Sequence, residues 1–119
     1  MDRRETGQIG EDLAVAHLCA LGWQILDRNW RCASGELDIV ARDLAGVVVF
    51  CEVKCRRGGG FGSPLEAITV TKMRKLRSLA VCWLRTQSVF TPQFRFDGIG
   101  VLLTDGAAPQ LIHKEGIGL

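Results

Sequence analysis

The chain has 119 residues, a formal net charge of +2 and hydrophobic side chains at 47% of its positions. Such a length suits one domain, 1–119, built around a single core. No apolar run reaches the ~18 residues that a membrane-spanning helix needs, so we expect no membrane partner. The net charge is too small to indicate nucleic-acid binding by itself.

The N-terminal segment and the cysteines favour a cytoplasmic protein. Residues 1–12 are polar and include acids, unlike a secretory signal. The five cysteines are an odd number with irregular spacing, and no Cys-x-x-Cys pair occurs among them. The spacing between these cysteines and the histidines His17 and His113 does not match a zinc-binding motif. We therefore expect reduced thiols and a cytoplasmic location.

In chain order, the elements are predicted as α-β-β-β-α-β-β. The first helix covers about residues 6–21, and Gly22 would end it in a left-handed conformation. Because this helix is apolar on most sides, we expect it to be buried. Ser63 is a candidate N-cap for a short helical segment, and a longer helix covers about residues 71–86. Strands are predicted at residues 23–29, 36–42, 47–55, 94–103 and 109–115. This order predicts an α/β fold with a mixed sheet flanked by helices.

The turn between the second and third strands predicts their register. Residues 43–47 fit a three-residue hairpin loop with Gly46 in the left-handed position. Residues opposite each other in such a hairpin share one face of the sheet. Counting back from the turn gives the pairs Val40–Phe50, Asp38–Glu52 and Glu36–Lys54. The other face would carry core residues, namely Leu37, Ile39, Ala41, Val49, Cys51 and Val53.

The four ionisable residues of this face are a candidate metal site. Two facing carboxylates repel each other unless a cation neutralises them. Oxygen ligands at close quarters suit Mg²⁺ or Mn²⁺, which also accept phosphate oxygens. Such an ion activates water and polarises a phosphoryl group, and Lys54 could steady either. The same pattern also fits a structural ion pair between Glu36 and Lys54, with Asp38 and Glu52 solvated.

The segments that carry these residues resemble a nuclease superfamily. An acid on one strand and Glu-Val-Lys on the next are similar to the PD-(D/E)XK, or restriction-endonuclease-like, nucleases. The wider chain resembles their YraN-type family, whose relatives in fold are Holliday-junction resolvases. The matching segments are "GQIGEDLAVAHLCALGW", "ILDRNWRC", "GELDIVAR", "VVVFCEVKCR", "FGSPLEAITVTKMRKLRSLAVCWL" and "FRFDGIGV".

This resemblance implies a restriction-endonuclease-like fold with a mixed sheet of four to five strands. It implies Mg²⁺-dependent hydrolysis of DNA, including branched or structured DNA, and a homodimer as in resolvase-like relatives. It also implies that Lys54 is the catalytic lysine and that Glu11 is the first-helix acid of the site. The implied metal ligands are Asp38, Glu52 and the backbone carbonyl of Val53.

Basic residues beside these segments are candidate contacts for nucleic acid. They are Arg56 at the end of the third strand and, in the second helix, Lys72, Arg74 and Lys75. Cations that neutralise phosphates make binding depend on salt. Charge runs also occur on helix faces that are simply solvated. The glycine-rich residues 58–62 fit either a loop that closes over substrate or an ordinary connection.

Aromatic and polar residues elsewhere carry weaker predictions. Trp23 and Trp30 could stack on unpaired bases or pack in the core, whereas Trp83 is predicted to be core. No functional role is predicted for Asp97. Three functions stay open: a nuclease, a nucleic-acid-binding accessory with a vestigial site, and a structural module in which the ionic cluster only orders the sheet.

Overall fold

The computed structural model describes residues 1–58, 63–87 and 93–118, and it has the predicted α/β element order. Residues 59–62, most of the glycine-rich loop, lie outside this description. The helices are α1 (Arg3–Ala20) and α2 (Val70–Arg85), and a 3₁₀ turn covers Pro64–Ala67. The strands are β1 (Gln24–Cys32), β2 (Gly35–Arg42), β3 (Val48–Arg57), β4 (Phe94–Leu103) and β5 (Gln110–Lys114). Within the described ranges, neither helix is long and apolar enough to cross a membrane.

The five strands form one mixed sheet in the order β1-β2-β3-β4-β5. Only β3 and β4 are parallel, and the other neighbouring pairs are antiparallel. Two parallel neighbours need a long crossover connection, and α2 lies in it. The prediction of a mixed sheet flanked by helices is confirmed.

Each face of the sheet has its own apolar cluster. The α1 side buries Ala14, Leu18, Trp23, Ile39, Ala41, Val49, Cys51, Ile99 and Val101. The α2 side buries Leu37, Val40, Val48, Phe50, Met73, Leu76, Leu79, Ala80 and Trp83. The sheet is thus covered on both faces, and Cys51 and Trp83 are core residues as predicted.

The expectation that α1 is buried on most sides is wrong. Its buried residues are spaced by four, at Thr6, Gly10, Ala14 and Leu18, so they form one stripe. Ala16 and Ala20, on another side, are exposed. At Gly10 the helix meets β3 so closely that a Cβ there would collide with the side chain of Cys55. One narrow face therefore suffices to dock α1.

Capping residues explain where the helices begin. Asp2 accepts a hydrogen bond from the backbone N–H of Glu5 (2.9 Å), so α1 begins earlier than predicted. At the other end Gly22 has the predicted left-handed backbone, with φ +84°. Ser63 is the N-cap of the 3₁₀ turn, as predicted, and Thr69 caps α2.

The predicted hairpin register is confirmed near the turn. The backbone N–H of Asp43 donates to the carbonyl of Val47 (3.0 Å), and Val40 lies opposite Phe50. Gly46 has a left-handed φ of +85°. The pairing of β2 with β3 nevertheless ends at Ile39–Cys51, so the two pairs predicted beyond it are not formed.

Regular alternation along β2 breaks at Asp38. Leu37 packs with the α2-side cluster, whereas Ile39 packs on the α1 side, so the prediction that they share a face is wrong. Asp38 accepts a hydrogen bond from the backbone N–H of Val53 (2.8 Å), in a place where a ladder carbonyl would accept it. Opposite on β1, Asn29 has a left-handed φ of +49°. The side chain of Asp38 thus inserts where β2 and β3 separate.

Candidate active site

A cavity of about 260 Å³ lies where β2 and β3 separate, beneath α2. Its lining includes Gly35, Glu36, Asp38, Glu52, Lys72, Lys75, Leu76 and Leu79. The structure therefore brings Asp38 and Glu52 to one cavity although their strands no longer pair there. Two lysines of the second helix reach the same cavity.

Asp38 is placed where its negative charge is poorly compensated. Burial, followed by the negative charge of Glu52, raises the pKa of Asp38 to about 7. The hydrogen bond from the Val53 N–H opposes this effect only in part. A cation bound between the two carboxylates would favour the ionised form of both.

Glu52 is buried, with 7% of its surface exposed. Its Oε1 atom lies 3.5 Å from the Nζ of Lys54 and 3.4 Å from the Nζ of Lys72. Burial and the neighbouring Lys72 lower the pKa of Lys54. Two amines from different elements thus share one carboxylate oxygen, which is an arrangement that also suits the oxygens of a bound phosphate.

Glu11 approaches the site from α1. The Nδ2 of Asn29 donates to Glu11 Oε1 (2.6 Å) and to Glu36 Oε1 (2.9 Å). Ligand oxygens of Glu11, Glu36 and Asp38 all lie within 4.8 Å of one another. Burial raises the pKa of Glu11. The neighbouring Asp12 instead pairs with Arg28 (2.7 Å), so Glu11 is the first-helix acid that faces the site.

The alternative of a Glu36–Lys54 ion pair is wrong. Glu36 pairs with the Nε of Arg31 (2.8 Å), and Lys54 pairs with Glu52. The physical reason is the end of strand pairing at Ile39–Cys51, which removes the register that would have placed Glu36 opposite Lys54.

The predicted basic residues separate into different regions. Lys72 and Lys75 border the acidic cavity, and Lys75 passes over Gly35, toward a neighbouring cavity that Arg31 also lines. Arg56 instead lines a cavity beside the start of α1. Arg74 is exposed on α2. Lys72 and Arg56 therefore line different cavities.

The structure has a buried polar network on the α1 side of the sheet that was not predicted from the sequence. Asp97 is fully buried and accepts hydrogen bonds from Arg95 Nε (3.0 Å), His113 Nε2 (2.8 Å) and the Gly116 N–H (3.1 Å). Although burial opposes it, the bonds from His113 and Arg95 lower the pKa of Asp97. His113 Nδ1 lies 3.0 Å from His17 Nε2. No local pattern predicts this network, because its members come from separate elements.

The tryptophans pack rather than line the cavity. Trp23 is buried on the α1 side, with the guanidinium of Arg95 5.3 Å from the centre of its ring. Trp83 is buried and donates to Asp27 Oδ2 (3.1 Å), and Trp30 packs against the α2-side cluster. Of the two roles predicted for Trp23, core packing is the one that the structure shows.

The donor set of the cavity fits a hard divalent cation. Its described lining supplies carboxylate oxygens from Glu36, Asp38 and Glu52 and includes no thiol or imidazole. Oxygen-only surroundings match Mg²⁺ or Mn²⁺ rather than zinc. The facing acids Asp38 and Glu52 are the pair whose repulsion such a cation would relieve.

Comparison with known proteins gives the family. A profile of "Uncharacterised protein family UPF0102" matches residues 10–101. A UPF0102 protein of Mycolicibacterium smegmatis is 49% identical over 119 residues, covering 99% of this chain and 96% of the relative. UPF0102 proteins of Nocardia farcinica and Renibacterium salmoninarum are 47% and 46% identical and cover 98% and 96% of this chain, and 91% and 96% of the relatives. The chain therefore belongs to the uncharacterised protein family UPF0102, the YraN-type family.

Proposed function

We propose that the chain is a metal-dependent endonuclease that hydrolyses phosphodiester bonds in DNA, including branched or structured DNA. The observation that carries this proposal is that Asp38, Glu52 and Lys72 line one cavity, where Glu52 also pairs with Lys54. Their residue types match the acid and Glu-x-Lys pattern of the PD-(D/E)XK nucleases. Acids in a cleft whose pKa is strongly shifted are also more frequent at functional sites than elsewhere.

The residues that would hold Mg²⁺ or Mn²⁺ are Asp38, Glu52 and the carbonyl of Val53, with Glu11 facing them from α1. Such an ion supplies an activated water and neutralises phosphate charge. The hydrogen bond from the Val53 N–H fixes the carboxylate of Asp38. Lys54, on the same strand as Glu52, would orient the attacking water or stabilise the charge that develops on the phosphate.

The basic rim of the cavity would bind the DNA backbone. Lys75 and Arg31 lie along the β1–β2 turn, and Lys72 stands at the cavity itself. Each phosphate that they neutralise releases counterions, so binding should weaken as salt rises. Arg56 and Arg74 lie outside this rim and would contact only more distant parts of a substrate.

Cleavage assays test the nuclease proposal. With Mg²⁺ or Mn²⁺, the purified protein should cut at least one of single-stranded, duplex, flap and four-way-junction DNA. The variants Asp38→Ala, Glu52→Ala and Lys54→Ala should each lose at least about 100-fold in rate, because each removes metal or phosphate stabilisation.

The matched controls are Asp105→Ala and Lys114→Ala, an acid and a lysine outside the cavity lining. Both should cut at the wild-type rate. Equal cutting by wild type and all three site variants would assign the activity to a contaminant and would refute the proposal.

A second candidate is a nucleic-acid-binding accessory that does not hydrolyse DNA. The observation that favours it is the pairing of Glu52 with Lys54 and Lys72, which neutralises this acid without a metal. It predicts salt-sensitive DNA binding that Lys54→Ala leaves unchanged, with no cutting by the wild type. The homodimer and the cytoplasmic location stay predictions under either function.

A further inference from the structure

We propose that Lys72 is an exchangeable counter-ion of Glu52, which leaves this acid for a DNA phosphate when a divalent cation enters the cavity. In this way α2 would couple metal binding to DNA binding. The inference deepens the proposed function and depends on it for the identity of the two ligands. Lys72 belongs to the second helix and lies outside the set of Asp38, Glu52 and Lys54.

The contact geometry supplies the first argument. Lys54 and Lys72 approach the same Oε1 atom of Glu52, at 3.5 Å and 3.4 Å. One carboxylate oxygen that faces two ammonium groups cannot also bind a metal ion without moving at least one of them. The two amines therefore compete with a cation for Oε1 of Glu52.

Exposure indicates which amine would move. The side chain of Lys72 is 43% exposed and that of Lys54 is 26% exposed. Lys72 extends from the first turn of α2, where its own N–H is fixed by Thr69 (3.2 Å) while its long side chain reaches across the cavity. Lys54 extends from β3, the strand that carries Glu52. Lys72 can thus turn toward solvent and DNA while the backbone of α2 stays in place.

The charge balance gives the second argument. In their ionised forms, Glu11, Glu36, Asp38 and Glu52 contribute four negative charges, and the basic groups beside them, Arg31, Lys54, Lys72 and Lys75, contribute four positive charges. A divalent cation added to this set would leave an excess of two positive charges, which repels the ion. A phosphate group that takes over Lys72 would remove that excess, so metal and DNA should each strengthen the binding of the other.

Replacing Lys72 by an uncharged residue of similar length gives the decisive variant, Lys72→Met. Without DNA, its affinity for Mn²⁺, measured by electron paramagnetic resonance or calorimetry, should rise on the order of 10-fold because a repelling charge is gone. The matched control Lys75→Met removes a lysine that lines the same cavity but makes no ion pair with Glu52 among the described contacts. It should change the affinity less than about 3-fold.

DNA binding in Ca²⁺ supplies a readout for the second half of the inference. Lys72→Met should reduce the slope of log affinity against log salt by about one, since one phosphate contact is lost. An unchanged slope would overturn the transfer of Lys72 to phosphate. Equal Mn²⁺ affinity in wild type and Lys72→Met would overturn the exchange while leaving the nuclease proposal intact. Absence of Mn²⁺ binding in both proteins would overturn both proposals.

Discussion

Asp38 and Asp97 are carboxylates on strands of the same sheet, the first half-buried and the second fully buried, and their neighbours differ in charge. Asp97 is surrounded by the guanidinium of Arg95, the ring of His113 and the N–H of Gly116. These donors lower the pKa of Asp97 even though it is fully buried. Its ionised form is therefore the form that the fold stabilises.

Asp38 has a backbone N–H as its hydrogen-bond donor and another acid as its neighbour. The amines of Lys54 and Lys72 approach Glu52 instead. As a result the pKa of Asp38 rises to about 7, and the ionised form is disfavoured. The fold thus pairs Asp97 with positive groups but leaves Asp38 beside a second acid. Binding sites commonly retain such unfavourable charges at some cost in stability.

The largest expected difference between the two regions is in stability. Asp97→Ala should lower the free energy of unfolding by about 3–5 kcal/mol, because it leaves Arg95 and His113 without their buried partner. Urea denaturation measures this loss. The exposed acid Asp105 provides the control, and Asp105→Ala should stay within about 0.5 kcal/mol of wild type. If Asp97→Ala lowered the free energy of unfolding by less than about 1 kcal/mol, the structural role proposed for the network would be wrong.

A smaller effect of opposite sign is expected at the cavity. In EDTA at pH 8, Asp38→Asn should raise the free energy of unfolding by about 1–2 kcal/mol. The raised pKa of Asp38 means that the folded wild type holds its proton more tightly than the unfolded chain does. Wild-type stability is therefore lost as pH rises from about 4 toward 7, and asparagine avoids this loss while it can still accept from the Val53 N–H.

Denaturation of Asp38→Asn over a pH series checks this sign. The advantage of the variant should grow between about pH 4 and pH 7 and then level off. Asp97→Asn in the same buffers should be less stable than wild type throughout. An Asp38→Asn variant that is destabilised at pH 8 would show that the two carboxylates are equivalent structural groups.

The smallest expected effect concerns His17, at the edge of the Asp97 network. Burial and the neighbouring His113 lower the pKa of His17, so its contribution to stability is present above about pH 6.5 and is lost as pH falls. Between pH 7 and pH 5, the free energy of unfolding of His17→Gln should therefore fall by about 0.5 kcal/mol less than that of wild type. The difference is small because His17 is partly exposed. Identical pH profiles of the two proteins would contradict this prediction.

Local sequence signals predicted much of the architecture. The register near the β2–β3 turn followed from Gly46 and the five-residue segment 43–47, because a hairpin loop determines which residues lie opposite each other. The placement of Asp38 and Glu52 at one end of that hairpin followed from the same count. The predicted pairs Asp38–Glu52 and Glu36–Lys54 are not formed, because the inserted side chain of Asp38 ends the strand pairing at Ile39–Cys51.

The sequence by itself determined the order of the elements, the capped ends of the helices and the acids that one hairpin could bring together, because these depend on neighbours a few residues apart. Only the tertiary structure decided that Lys72 of α2 would share Glu52 with Lys54, and that His17 would meet His113 from the other end of the chain. Such contacts depend on how helices dock on a sheet, and the spacing of residues along the chain carries no signal for them. Packing between distant segments therefore determines which charged groups surround the buried carboxylates of Glu52 and Asp97.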